Sequence, residues 1–106
     1  MQATTIALSD VLILQPEVFG DTRGFFVERW NAKTFERTTG LDVNFVQDNR
    51  SRSGKGVLRG LHYQLRQPQG KLVWVEAGKV LDVIVDLRRS SDTFGRHASI
   101  ELTGED

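Results

Sequence analysis

Four short apolar segments follow one another late in the chain: "VLRGLHYQ" (57–64), "KLVWVEA" (71–77), "KVLDVIVDL" (79–87) and "ASIELT" (98–103). Each is too short for an ordinary amphipathic helix, and the turn residues between them set the spacing of an antiparallel sandwich or barrel. In "KVLDVIVDL", Leu81, Val83, Val85 and Leu87 form one apolar face. The alternate residues Val80, Asp82, Ile84 and Asp86 read as a half-wet face or the lining of a cavity. The first half continues the pattern. "VLIL" (11–14) stops at Pro16, and "GDTRG" (20–24) is a turn between two apolar runs. "FFVERW" (25–30), if regular, puts Phe26, Glu28 and Trp30 on one face, and "VNFVQDN" (43–49) is a further strand. One helix interrupts the series. "NAKTFERTTG" (31–40) has Asn31 to cap its start and Gly40 for the left-handed residue past its end.

The chain of 106 residues is expected to form a single domain over 1–106, with no repeat or linker. Its 14 basic and 14 acidic residues cancel, which removes any long-range pull toward nucleic acid or an anionic membrane. The basic loop "RSRSGKG" (50–56) lacks the interleaved aromatics of a nucleic-acid surface and the spacing of a phosphate-binding P-loop. No apolar run is long enough to span a bilayer, and "MQATTIALSD" lacks the basic end and apolar stretch expected of a signal peptide. With no cysteine, disulfides and thiolate metal sites are excluded, and a cytoplasmic location is expected.

The chemistry concentrates in "LRGLHYQLRQPQGKL". With 65–68 as the loop of a hairpin, His62 falls opposite Lys71, with Cβ atoms about 4.5–5.5 Å apart on one ladder. A nearby ammonium favours the neutral imidazole, which can accept a proton, and the ammonium itself can stabilise a developing oxyanion. A base beside an electrophile is what proton abstraction α to a carbonyl requires. The same pair can also be a packed histidine and a snorkelling edge lysine. Arg59 has the opposite parity to His62, and Gly60 between them could mark a bulge that turns both inward. Arg23, Glu28 and Arg59 can be simply salt-bridged, and Gln47 and Asn49 can simply end a strand. A β-barrel metal site built from His-x-His and a glutamate is not available: "HYQ" offers His62 and Gln64, with Glu76 further on, and His97 reads as a surface residue. No metal is expected.

Taken in order, "FGDTRGFFVERW", "FVQDNRSRSGKGVLRGLHYQ", "QGKLVWV" and "GKVLDVIVDLRRSSDTFG" resemble the dTDP-4-dehydrorhamnose 3,5-epimerase family. The resemblance implies an all-β, cupin-like jelly roll or antiparallel β-sandwich with one short helix, working as a homodimer without metal or organic cofactor. It implies an isomerase that epimerises dTDP-4-dehydro-6-deoxy-D-glucose at C3 and C5 to dTDP-4-dehydro-L-rhamnose, in dTDP-L-rhamnose biosynthesis. His62 matches the family's proton acceptor and Lys71 the residue that stabilises the enolate oxygen. Arg23, Phe26, Glu28, Gln47, Asn49 and Arg59 match substrate-contacting positions, some of the N-terminal ones serving the neighbouring subunit's site.

Family members continue well past "IELTGED". The continuation carries the tyrosine that returns a proton from the opposite face and an aspartate that partners the histidine. Tyr63 is a poor substitute, because strand alternation turns it away from His62. The jelly roll is therefore expected to be incomplete at the C-terminus, as the N-terminal part of the family domain. The competing expectation is a cupin-like module or inactive fragment that binds a sugar nucleotide without turnover.

Overall fold

The computed structural model describes residues 1–104, which carry three antiparallel hairpins and one helix. β1 (Gln2–Thr5) pairs with β2 (Leu12–Gln15), in register from Gln2 opposite Gln15 to Thr5 opposite Leu12. β3 (Val18–Asp21) pairs with β4 (Gly24–Val27), with Thr22 and Arg23 as the two-residue turn. β5 (Lys79–Val85) pairs with β6 (His97–Thr103) over seven residues, from Lys79 opposite Thr103 to Val85 opposite His97. The first strand was not foreseen: "QATT" is polar and carries no alternation. Residues 28–30 lie beyond the regular strand, so Phe26, Glu28 and Trp30 do not share a strand face.

α1 (Ala32–Thr39) has both expected ends. Asn31 is extended and its side-chain oxygen accepts from Thr34 N–H at 3.1 Å. Gly40, at φ 74°, donates its N–H to the Glu36 carbonyl at 2.7 Å. On the inner face Phe35 is buried, its ring centroid 5.0 Å from that of Trp30.

The chain divides into two compact units, one made of 1–43 and the chain from 74 onward, the other Asn44–Val73. In the first, the loop after β5 is closed by a buried carboxylate. Asp86, 6% exposed, accepts from Arg88 N–H and Nε at 3.0 Å each, from Arg88 Nη2 at 3.1 Å, from Ser91 Oγ at 2.6 Å and from the Thr93 hydroxyl. Its backbone N–H donates to Arg96 O at 2.9 Å, and its carbonyl accepts from Gly95 N–H at 2.7 Å. Arg88 reaches on to the Asp10 carboxylate and, at 3.0 Å, to the Ser9 carbonyl, which ties this loop to the β1–β2 loop beside buried Leu8. The even face of β5, expected to be half-wet or to line a cavity, is mixed, with Val80 exposed, and Val85 of the odd face is half-buried. Leu81, Val83 and Leu87 are exposed, whereas Asp82 and Ile84 are half-buried and Asp86 is buried.

In the second unit the strands expected at 43–49 and 57–64, and the first part of 71–77, are not regular. Every residue from 44 to 71 is exposed, so no apolar face is buried to hold a ladder, and an isolated two-stranded pair is marginal in water. The hairpin with a 65–68 loop, and with it the direct His62–Lys71 cross-strand pairing, does not form.

Two measurements check these elements. Asn31→Ala removes the cap of α1 and should cost about 1 kcal/mol in chemical denaturation. Arg88, then Ser91 and Thr93, hold the Asp86 carboxyl far below its ordinary 3.8. The unfolded chain therefore binds more protons as pH falls through about 4, and the contribution of Asp86 to stability is complete above that pH and lost on acidification. Asp86→Asn should lower the thermal midpoint at neutral pH and flatten its acid dependence. An acid slope equal to that of the parent chain would contradict this account.

Candidate functional site

Asp21 turns the chain at the tip of β3–β4. Its Oδ1 accepts Arg23 N–H at 2.8 Å, and its Oδ2 accepts Arg23 Nη2 at 2.6 Å and Nε at 3.2 Å. The guanidinium, and secondly the Arg23 backbone N–H, pull the Asp21 carboxyl below its usual 3.8. Arg23 is thus held by one edge, leaving the Nη1 edge for an anionic ligand. Asp21 was missed as a site-shaping residue, although "DTR" is the signal: an Asp two residues before an Arg in a tight turn.

On β4, Phe26 stands opposite Phe19 and is 70% exposed, an open aromatic face. Glu28 sits just past the strand, where its carboxylate accepts from the Asn31 side-chain amide at 3.4 Å. Beside it Arg29 lies 4.6 Å over the Trp74 ring and 3.5 Å from the Glu76 carboxylate, a contact not anticipated from the sequence.

The remaining expected residues belong to the 44–73 unit and are all exposed. Gln47 donates its amide to Asn49 Oδ1 at 3.3 Å, so these two side chains act as a pair. Arg59 donates Nε to Ser53 Oγ at 3.0 Å, which folds it back over the 54–57 turn, where Val57 N–H reaches Gly54 O at 3.4 Å. Gly60 has φ 102°, and a Cβ there would lie 3.3 Å from Nδ1 of His62. Gly60, where a bulge was expected, has a positive φ in a stretch that is not a regular strand. Lys71 is exposed.

Among the described residues, no three of His, Cys, Asp and Glu gather as a metal site. A cleft of about 610 Å³ is lined by Ile6, Leu8, Val11, Leu12 and Leu41 with neighbouring residues, and none of the expected site residues lines it.

The sequence family described as dTDP-4-dehydrorhamnose 3,5-epimerase matches residues 5–106. The chain belongs to this family. It is 57% identical over 105 residues to the dTDP-4-dehydrorhamnose 3,5-epimerase of Pseudomonas aeruginosa, covering 99% of this chain and 58% of that protein. It superposes with a TM-score of 0.91 and 51% identity on the crystal structure of dTDP-6-deoxy-D-glucose-3,5-epimerase from Legionella pneumophila in complex with dTDP-4-keto-L-rhamnose, covering 98% of this chain and 55% of that one. The Elizabethkingia anophelis dTDP-4-dehydrorhamnose 3,5-epimerase gives a TM-score of 0.87 at 49% identity, covering 99% and 58%. The chain therefore spans somewhat over half the length of the family members it matches. The all-β, cupin-like jelly-roll class with one short helix, expected from the resemblance, is the class of these neighbours. No helix among the described residues is long and apolar enough to cross a membrane.

The Asp21–Arg23 contact is open to a direct check. Arg23→Gln should raise the Asp21 carboxyl toward 3.8 in a ¹³C-detected NMR titration; an unmoved titration would show that the guanidinium does not hold it.

Proposed function

We propose that this chain carries the base-and-oxyanion part of an epimerase for a nucleotide-linked 4-keto-6-deoxy sugar, dTDP-4-dehydro-6-deoxy-D-glucose. The observation that carries the reading is the family match over 5–106, the span that holds "VLRGLHYQ" and "GKL". The C4 ketone acidifies the hydrogens on C3 and C5, so the substrate is its own electron sink and no cofactor or metal is needed. His62 takes the C3 proton, and the electron pair moves onto the C4 oxygen as an enolate, which the Lys71 ammonium stabilises. Protonation of C3 from the opposite face restores the ketone with inverted configuration, and the same cycle at C5 gives dTDP-4-dehydro-L-rhamnose. By the resemblance, the acid for the opposite face belongs to the family's length beyond this stretch.

Arg23 and Arg59 suit the diphosphate through their planar donor forks, Phe26 suits the nucleotide base, and Glu28, Gln47 and Asn49 serve as polar contacts. Within this reading residues 1–106 belong to one domain, active in the cytoplasm as a homodimer. Phe19 and Phe26, paired across β3–β4 and both exposed, offer an apolar face that supports the dimer.

The test is deuterium uptake from D₂O into the sugar, followed by NMR, with the 106-residue chain. Uptake at C3 is expected, with His62→Ala lowering it by about 10²-fold or more. Uptake by His62→Ala near the parent rate would remove His62 as the base. Saturable binding of the sugar nucleotide with no uptake would instead establish the binding module without turnover.

A further inference from the structure

We infer that the Asn44–Val73 unit is an electrostatic capture surface for a small phosphate-bearing anion, here the diphosphate of the sugar nucleotide. The chain's zero net charge conceals a segregation. Between Asn44 and Val73 stand Arg50, Arg52, Lys55, Arg59, Arg66 and Lys71, against a single acidic residue, Asp48. No Asp or Glu occurs from Asn49 to Val75. Because the whole chain balances 14 basic residues against 14 acidic ones, the other unit carries the opposite excess.

Exposure and pairing make the segregation effective. The basic residues of the unit lie within 44–71, where every residue is exposed. In the other unit basic side chains are matched to near carboxylates: Arg23 to Asp21, Lys79 to Glu101, and Arg88 to Asp10 and Asp86. The 44–73 unit has only Asp48 of its own to set against its cations. Such a field does not need fixed side chains. A Coulomb interaction across several ångströms of solvent depends on where the charges are tethered more than on their rotamers. It acts before contact, so it raises the rate of encounter more than it holds the ligand afterwards.

The identity of the anion rests on the proposed reaction. Arg59, His62 and Lys71, which that reaction uses, belong to the same unit, so a diphosphate drawn to it arrives where the chemistry is placed. Nucleic acid fits less well, because the densest basic run, 50–59, contains no aromatic residue on which a base could stack.

The first measurement needs no variant. Amide-proton relaxation of the 106-residue chain is compared between a nitroxide bearing a carboxylate and its uncharged analogue. The charged probe should relax the amides of 50–66 about twofold or more faster than the neutral one, and those of the other unit more slowly. The second is stopped-flow association of dTDP at about 0.01 M ionic strength, where the Debye length is about 30 Å. Arg52→Gln/Lys55→Gln/Arg66→Gln should lower kon on the order of tenfold and leave koff within about twofold. The difference should vanish near 1 M salt, where charges are screened beyond about 3 Å. Lys33→Gln/Arg89→Gln/Arg96→Gln removes the same charge from the other unit and should lower kon by no more than about threefold.

Equal slowing in the two triple variants would overturn the inference, since net charge rather than its placement would then be the cause. So would a charged nitroxide that samples both units alike, or a loss confined to koff, which would make Arg52, Lys55 and Arg66 contacts. Tighter binding of a short single-stranded oligonucleotide than of dTDP would assign the surface to nucleic acid instead. If the parent chain binds no dTDP, the epimerase reading fails, and the nitroxide contrast alone decides whether the unit gathers anions.

Discussion

A carboxylate taken out of water is costly unless its lone pairs are met. Asp86 meets them with one arginine, one backbone N–H and two hydroxyls, all drawn from the eight residues 86–93. The bond that matters most for the fold is the next one. Arg88, locked by Asp86, extends to Asp10 and Ser9, so that a loop near the start of the chain is fastened to one near its end. Among the described residues no buried side-chain nitrogen or oxygen lacks a partner, so the cost of burying this charge is offset within the network itself. The apolar contribution beside it is small, with Leu8 and Phe35 the two buried hydrophobic side chains among the described residues.

The 44–73 unit is built on the opposite principle. It carries Gln47, Asn49, Arg59, His62 and Lys71, all exposed, and local hydrogen bonds organise part of it: Gln47 to Asn49, Arg59 to Ser53, and Val57 to Gly54. Five of the residues expected from the sequence to form the site thus stand where the chain has least packing. Side chains there are aimed by short-range polar contacts.

What was legible in the sequence follows the range of the interactions. Asn31 and Gly40 announced α1 because a cap involves only three or four neighbouring residues. "GDTRG" announced the β3–β4 turn for the same reason, and the seven-residue strands β5 and β6 had enough alternation to be seen. Three things were not visible. The segments 43–49, 57–64 and 71–77 have strand composition, yet strand composition forms a ladder only where a face is covered, and residues 44–71 cover none. Asp86 read as half-wet because alternation along one strand cannot reveal that Arg88, Ser91 and Thr93 fold back onto it. A Gly between Arg59 and His62 suggested a bulge, but its positive φ lies in an irregular stretch with no ladder to bulge from. The family itself was legible, since the motifs that resemble it lie within the matched span 5–106.

The contact between Arg88 and Asp10 joins residues 78 positions apart. On a ribosome this sets an order of events. The hairpins β1–β2 and β3–β4 and the capped helix are local and can form as soon as they emerge, whereas the loop holding Ser9 and Asp10 has to wait for residues 86–93 before its anchor exists. Until then the first hairpin carries Leu8 and Asp10 without the partners that secure them, and the final closure is the slow, entropy-limited step of drawing a long loop shut.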